Sequence, residues 1–279
     1  ADDSALFQSW GSITIINPLE KIWNGYSDTR MGASMDSYLN GYNDPRLPVY
    51  FQPVTEGDNK GEYRGVANGM PNPQQDDYKA MSAPNVQEKS TDSPLRWMMA
   101  SEDAFLRAEG AMRGWTAEMG GTAEEFYNKG IELSFLENGL SADAAARYAA
   151  DETSKPTDFT DVSAANTKYN ISALGKITIK WNAGASEEEQ LERIITQKWI
   201  AMFPNGTEAW SEFRRTGYPL IFPVRSNYPT SGVDTNKQIR RMVFPQSEYS
   251  NNGAAVQEAV KLLGGPDNGG TKLWWDKKN

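Results

Sequence analysis

The sequence predicts a mostly α-helical protein with long irregular loops and a few short strands, and three observations predict it. Residues 96–216 carry capped runs in which apolar residues recur at i, i+3 and i+4, the spacing of a buried helix face. The flanks, 1–95 and 217–279, are rich in Gly, Pro, Asn and Asp, which punctuate a chain more often than they propagate a helix. Nine Trp, twelve Tyr and ten Phe are spread widely, many beside those same turn residues, so the loops carry rings that need a use.

Taken in order, residues 1–4 are polar and acidic and read as a processed or truncated end. Leu6, Phe7 and Trp10, with Ile13, Ile15 and Ile16, precede Asn17-Pro18, and Leu19, Ile22 and Trp23 follow at helical spacing, which suggests one short helix or two. Asn43-Asp44-Pro45 is a turn, and Val49-Tyr50-Phe51 lies between prolines as a short strand candidate. Residues 55–94 hold few apolar side chains and read as surface loop.

In the helical stretch, Ser101 is an N-cap candidate with Glu102 and Asp103 in the first turn. Thr122 with Glu125 is a capping box opening a helix that Gly139 stops, and Ser141 starts another. Ser186 with Glu189 repeats the box before the strongest amphipathic run, Leu191, Ile194, Ile195, Trp199, Ile200 and Phe203. A further helix follows Pro204-Asn205-Gly206 and ends at Gly217. Beyond it, one helix is expected over 254–263 before Gly264-Gly265-Pro266, and Thr271-Lys272-Leu273-Trp274-Trp275-Asp276 makes a charged turn.

Composition excludes more chemistry than any motif adds. With no His and no Cys, a Ser-His-Asp or Cys-His nucleophile system has no base, and zinc, iron and copper sites lose their preferred ligands. Carboxylate chemistry, oxygen-ligand calcium or magnesium sites and pure binding survive. A net charge of −9 argues against nucleic acid and against a polybasic membrane-surface role. No apolar run approaches the ~18 residues that span a bilayer.

The spacing of Ala111, Ala123, Tyr127 and Gly130 is similar to a tetratricopeptide unit, in which small residues let two antiparallel helices cross closely. Such a unit leaves one apolar face needing neighbours. Four strings in order resemble the SusD/RagB family of Bacteroidetes outer-membrane lipoproteins. They are Tyr38-Leu39-Asn40-Gly41-Tyr42-Asn43-Asp44-Pro45-Arg46; the helix from Met98 to Ala111 with its Ser101-Glu102-Asp103-Ala104-Phe105-Leu106-Arg107-Ala108-Glu109; Ile195 to Ala201 with Glu208-Ala209-Trp210 and Arg214-Arg215-Thr216-Gly217-Tyr218-Pro219; and Ile239-Arg240-Arg241-Met242-Val243-Phe244-Pro245 with Trp274-Trp275-Asp276.

The resemblance implies a SusD-like, all-α fold on a tetratricopeptide-like helical scaffold, with residues 1–279 as one C-terminal region. Its N-terminal half and lipid-bearing Cys would lie outside these residues. It further implies a non-catalytic protein without a cofactor, tethered at the outer-membrane surface. Its partners would be a SusC-like TonB-dependent transporter and an oligosaccharide or polysaccharide. The family's sugar contacts vary among members, so none transfers by motif.

For a sugar platform, rings in polar loops outside the family strings are the candidates: Tyr63 between Glu62 and Arg64, Tyr78 after Asp76-Asp77, and Trp181 between Lys180 and Asn182. Glu208, Trp210, Arg214 and Arg215 could hold a uronic carboxylate, but an Arg pair ending a helix is better read as complementing its dipole. Asp44-Arg46, Arg240-Arg241 and Trp274-Trp275 also read as scaffold, because they lie in family strings shared by members of differing specificity. The acids Asp151, Glu152, Asp158 and Asp161 lack the spacing of a calcium loop, leaving an irregular Ca2+ site open. Two other readings stay open as well: a docking partner of the transporter with no sugar site in these residues, and a glycosidase using two carboxylates at a suitable separation.

Overall fold

The structure is a computed structural model and describes residues 3–9, 14, 16–85, 93–166 and 168–278. Strand β1 (Ala5–Phe7) is followed by α1 (Pro18–Glu20), started by the Asn17 side chain accepting from the Leu19 N–H and continued by a π-helical turn, Lys21–Tyr26. Short helices α2 (Ala33–Gly41), α3 (Leu47–Tyr50) and α4 (Gln75–Tyr78) come next. Strand β2 (Leu95–Met98) then returns beside β1 as an antiparallel ribbon. The helical block is α5 (Ala100–Met112), α6 (Thr116–Met119), α7 (Ala123–Glu137), α8 (Ala142–Ala149), α9 (Glu187–Ala201) and α10 (Gly206–Thr216). A 3-10 turn at Pro229–Ser231 and α11 (Gln246–Leu262), kinked at Asn252, follow.

Capping chemistry sets most of these boundaries. The Thr122–Glu125 box closes in both directions, Ser141 caps α8, and Asn205 caps α10 through the Glu208 N–H. Gly217, at φ 78°, ends α10 in the left-handed region that costs a glycine nothing. At Ser186 only half the expected box forms, because the Glu189 carboxylate turns to Arg193 instead.

Several expectations are corrected. Leu6 and Phe7 lie in β1 rather than in a helix, while Trp10, Ile13 and Ile15 fall outside the described residues. Val49 and Tyr50 are helical, since Pro48 in the first turn presets a helical φ, and only Phe51 is extended, bridging Pro84. Ser101 sits inside α5, whose cap is Met99, and the Glu137 carboxylate of α7 accepts from the Ser101 N–H (2.9 Å) and hydroxyl (2.6 Å). A remote carboxylate thus does the work of a local cap at the positive end of the helix. The last helix begins at Gln246, and the 55–94 segment contains α4 and buries Ala67 and Met81.

The same Ser101–Glu137 contact shows that α5 and α7 run antiparallel, as a tetratricopeptide-like pair requires. They cross at Gly130, where a Cβ would meet the Phe105 ring at 2.7 Å, so no larger residue fits without displacing it. Tyr127, Ile131 and Phe135 line the buried face of α7 against Phe105 and Ala108, and α9 adds Leu191, Ile194 and Ile195 to the same core. A smaller core of Ala33, Ala67, Phe159 and Phe222 sits under the loops.

Between α8 and α9 the chain lies across the helices as an extended strap. Ala173, Gly175, Ile177, Ile179 and Trp181 are buried in alternation with outward-facing residues. Buried phenols complete its hydrogen bonding: Tyr42 donates to the Ile177 carbonyl (3.2 Å) and Tyr127 to that of Ile179 (2.5 Å). Beside it, the fully buried Arg46 forks onto Asp44 (2.9 and 2.7 Å), bonds Ser134 and Gln197, and lies between the rings of Phe135 and Tyr148. Burial alone would lower the Arg46 pKa, but the Asp44 carboxylate outweighs it and holds the guanidinium charged.

Candidate functional site

The β1–β2 ribbon places Phe7 edge-on against Trp97, with ring centroids 5.1 Å apart at 87°, and leaves Trp97 68% exposed. A large ring braced by a neighbour yet open to water is a ready stacking surface. From the π-helical turn, Trp23 stacks nearly parallel on Phe203 (5.9 Å, 8°), and Phe203 in turn meets Tyr50 and Phe51.

Two adjoining hollows open between these rings and share Arg96 and Pro204 in their walls. The wider, of about 290 Å³, takes Asn17, Trp97 and Asn205; the narrower takes Trp23, Asn85 and Asn138. The amides are held before any ligand arrives. Asn85 donates to the Pro48 carbonyl (2.8 Å), Asn138 to that of Ser134 (2.7 Å), and Asn205 accepts from the Glu208 N–H. Among the described residues no carboxylate lines either hollow. The arrangement offers ring faces for the C–H face of a sugar and fixed amides for its hydroxyls, without the pair of acids that glycoside cleavage requires.

The residues expected from sequence fall elsewhere. Tyr63 is half-buried against the main core, with its carbonyl accepting from Asn40 (2.9 Å). Tyr78 ends α4, half-buried, with the Arg30 guanidinium 5.9 Å from its ring centre. Trp181 is 8% exposed and packs on Tyr127 at 5.3 Å at the end of the alternating strap, and it also contributes to the wall of an open hollow with Glu124, Asn128 and Lys180. The alternation Ile177-Thr178-Ile179-Lys180-Trp181 is the sequence signal of its burial.

The arginine sets read as scaffold, and most of the acids left open as an irregular Ca2+ site, bond within the chain. Arg214 lies 3.5 Å from the Trp210 ring centre and 4.9 Å from that of Trp275, while Trp210 donates to the Ile239 carbonyl (2.8 Å). Arg240 forks onto Asp276 (both 2.7 Å) and Arg241 pairs with Asp267. Trp274 differs from its neighbour: it is 81% exposed. Of the loop acids, Asp151 accepts from Thr153 and Ser154, bonds that overcome its desolvation and hold it at about 2. Asp158 takes the Ala173 N–H and Asp161 those of Ser163 and Tyr169. Among the described residues no three acidic side chains gather as a cation site.

The model of a SusD-like family, Susd and RagB outer membrane lipoprotein, matches residues 1–276. Among solved structures, the chain is similar to a chitin-binding SusD homologue from Flavobacterium johnsoniae, with 42% identity and a TM-score of 0.88, over 100% of this chain and 55% of that one. A SusD homologue from Bacteroides vulgatus is 37% identical with a TM-score of 0.90, covering 100% of this chain and 54% of that one. One from Bacteroides thetaiotaomicron is 41% identical with a TM-score of 0.88, covering 100% and 57%. The chain thus spans a little over half the length of each of these structures. No protein with a curated description matches it.

Proposed function

This chain belongs to the SusD-like family of outer-membrane lipoproteins, and from that premise we propose that it is a non-catalytic, glycan-binding component of a nutrient-uptake complex at the cell surface, with the Trp97 cleft as its sugar contact. In this reading a lipid anchor outside these residues holds the protein at the outer membrane, beside a SusC-like TonB-dependent transporter. The observation that carries it is the exposed Trp97 ring, braced by Phe7 and standing over oriented amides. The chitin-binding homologue makes an N-acetylated oligosaccharide the first glycan to try.

Calorimetric titration of the wild type and Trp97→Ala with chito-oligosaccharides and a wider glycan panel tests this. Loss of the ring is expected to weaken binding at least tenfold, about 1.4 kcal/mol, with no sugar released. Tyr63→Ala and Tyr78→Ala are the comparators, and loss at either with none at Trp97 would relocate the site.

A docking role without a sugar site here is the second reading, and one observation favours it. Val224, Val233, Ile239 and Met242 line an apolar groove beside the outward-facing Tyr228, composition suited to a protein partner. Transporter co-purification without binding to any glycan would select that reading.

A further inference from the structure

A second exposed indole lies at the opposite end of α5. Trp115, 56% exposed, sits in the turn between α5 and α6, over an open groove of about 630 Å³ floored by Leu106 and Met119. Three guanidinium groups reach this groove and each is already engaged. Arg107 pairs with Asp103 (3.0 Å), Arg113 with Glu109 (2.8 Å), and Arg215 with both Glu109 (2.5 Å) and Glu212 (2.7 Å).

That pairing selects among ligands. A phosphate or uronate would need a cation to spare, and every arginine in the wall is committed to a carboxylate. A cation would have to compete with those same arginines for Asp103, Glu109 and Glu212, which leaves it the single exposed carboxylate of Glu118, too few ligands for a cation site. What the wall presents is a set of oriented donors and acceptors with their charges largely cancelled, next to an aromatic face and two flexible apolar side chains. An uncharged polyhydroxylated ligand meets those terms: its hydroxyls exchange hydrogen bonds with fixed carboxylate and guanidinium edges while its C–H face covers the ring.

The spacing along the chain adds a second constraint. Trp97 lies just before α5 and Trp115 just after it, and a helix of 13 residues is about 20 Å long. Two rings separated on that scale cannot both touch a short oligosaccharide, whereas an extended polysaccharide is long enough to span the distance. Binding at the first ring then raises the effective concentration of the chain at the second.

Resting on the glycan-binding reading above, we propose that the Trp115 groove is a second, separate subsite for a neutral polysaccharide, engaged only by chains long enough to run from the Trp97 cleft. The test is titration of the full protein and its Trp115→Ala, Trp115→Phe and Trp97→Ala variants against short oligosaccharides and their soluble parent polymers, beginning with chitotriose and glycol chitin. Trp115→Ala is expected to lower polymer affinity about tenfold and leave trisaccharide affinity unchanged, with Trp115→Phe recovering part of the loss. Trp97→Ala is expected to weaken both. Wild-type polymer affinity in Trp115→Ala, or an equal loss for the trisaccharide, overturns the second subsite alone. Wild-type protein that binds nothing in the panel overturns the glycan reading and the subsite with it.

Discussion

From α5 to α9 the chain is held by rows of buried carbon: Phe105 and Ala108 against Tyr127, Ile131 and Phe135, with Ile194 and Ile195 behind them. From Gly217 onward it is held by charge. Arg240 forks onto Asp276, Arg241 and the Tyr249 hydroxyl converge on Asp267, and Arg214 and Arg240 exchange hydrogen bonds through each other's carbonyls (3.0 and 2.9 Å). Regular helices satisfy their own backbone and need only an apolar face to cohere. Irregular loops do not, so here guanidinium groups, with five donors each, collect carbonyls and carboxylates from distant turns. Damage to the first region should therefore spread through the core, while damage to the second should remain in the loops it ties.

Arg46 puts that contrast to its hardest trial, because it carries the loop device into the carbon block. Removing its partner in Asp44→Ala strands a fully buried guanidinium among Phe135, Tyr148 and Gln197, and a cost of about 3–5 kcal/mol is expected in urea unfolding. All elements of the block should melt together. A loss below about 1 kcal/mol would mean that the block tolerates unpaired charge, and the contrast would collapse.

Asp276→Ala is the matching change in the loops. The Arg240 pair is buried too, but its guanidinium keeps the Lys237 and Arg214 carbonyls as acceptors once Asp276 is gone, so a smaller global cost of roughly 1–3 kcal/mol is expected. Hydrogen exchange gives the sharper readout. Protection should fall across 237–244 and 264–276 and persist in α5, α7 and α9. Equal loss in the helices would show that the two regions are one cooperative unit.

The helical block was largely legible in the sequence, because its signals are local: Thr122 with Glu125, Ser141 and Asn205 each act within three residues of themselves. Ser101 misled for the opposite reason, since the carboxylate serving that helix end arrives from Glu137. The polar neighbours of Trp181 hide its burial, although every second residue before it points into the core. The Trp97 cleft had no local pattern to find. Its walls come from Asn17, Trp23, Asn85, Arg96, Asn138 and Asn205, and only the fold brings these together.

The least costly change is the one that bears on pH. Glu109 joins α5 to α10 by accepting from Arg113, the residue capping the end of its own helix, and from Arg215 on the other, an ion-pair contact inside the carbon block whose guanidinium groups remain partly open to water. Burial alone would raise its carboxyl, but the two guanidiniums outweigh that and hold it below the usual carboxylate range. A carboxyl whose folded pKa is depressed contributes stability that is fully present above its unfolded value, about 4.3, and is lost as pH falls through the folded value. Glu109→Gln should therefore be less stable than wild type near neutral pH, with the difference shrinking progressively below about pH 5. Denaturant midpoints for the two proteins between pH 7 and pH 3 would then converge. A gap that stays constant across that range would show that Glu109 acts through packing alone and that, inside the block, carbon does the holding even where charges meet.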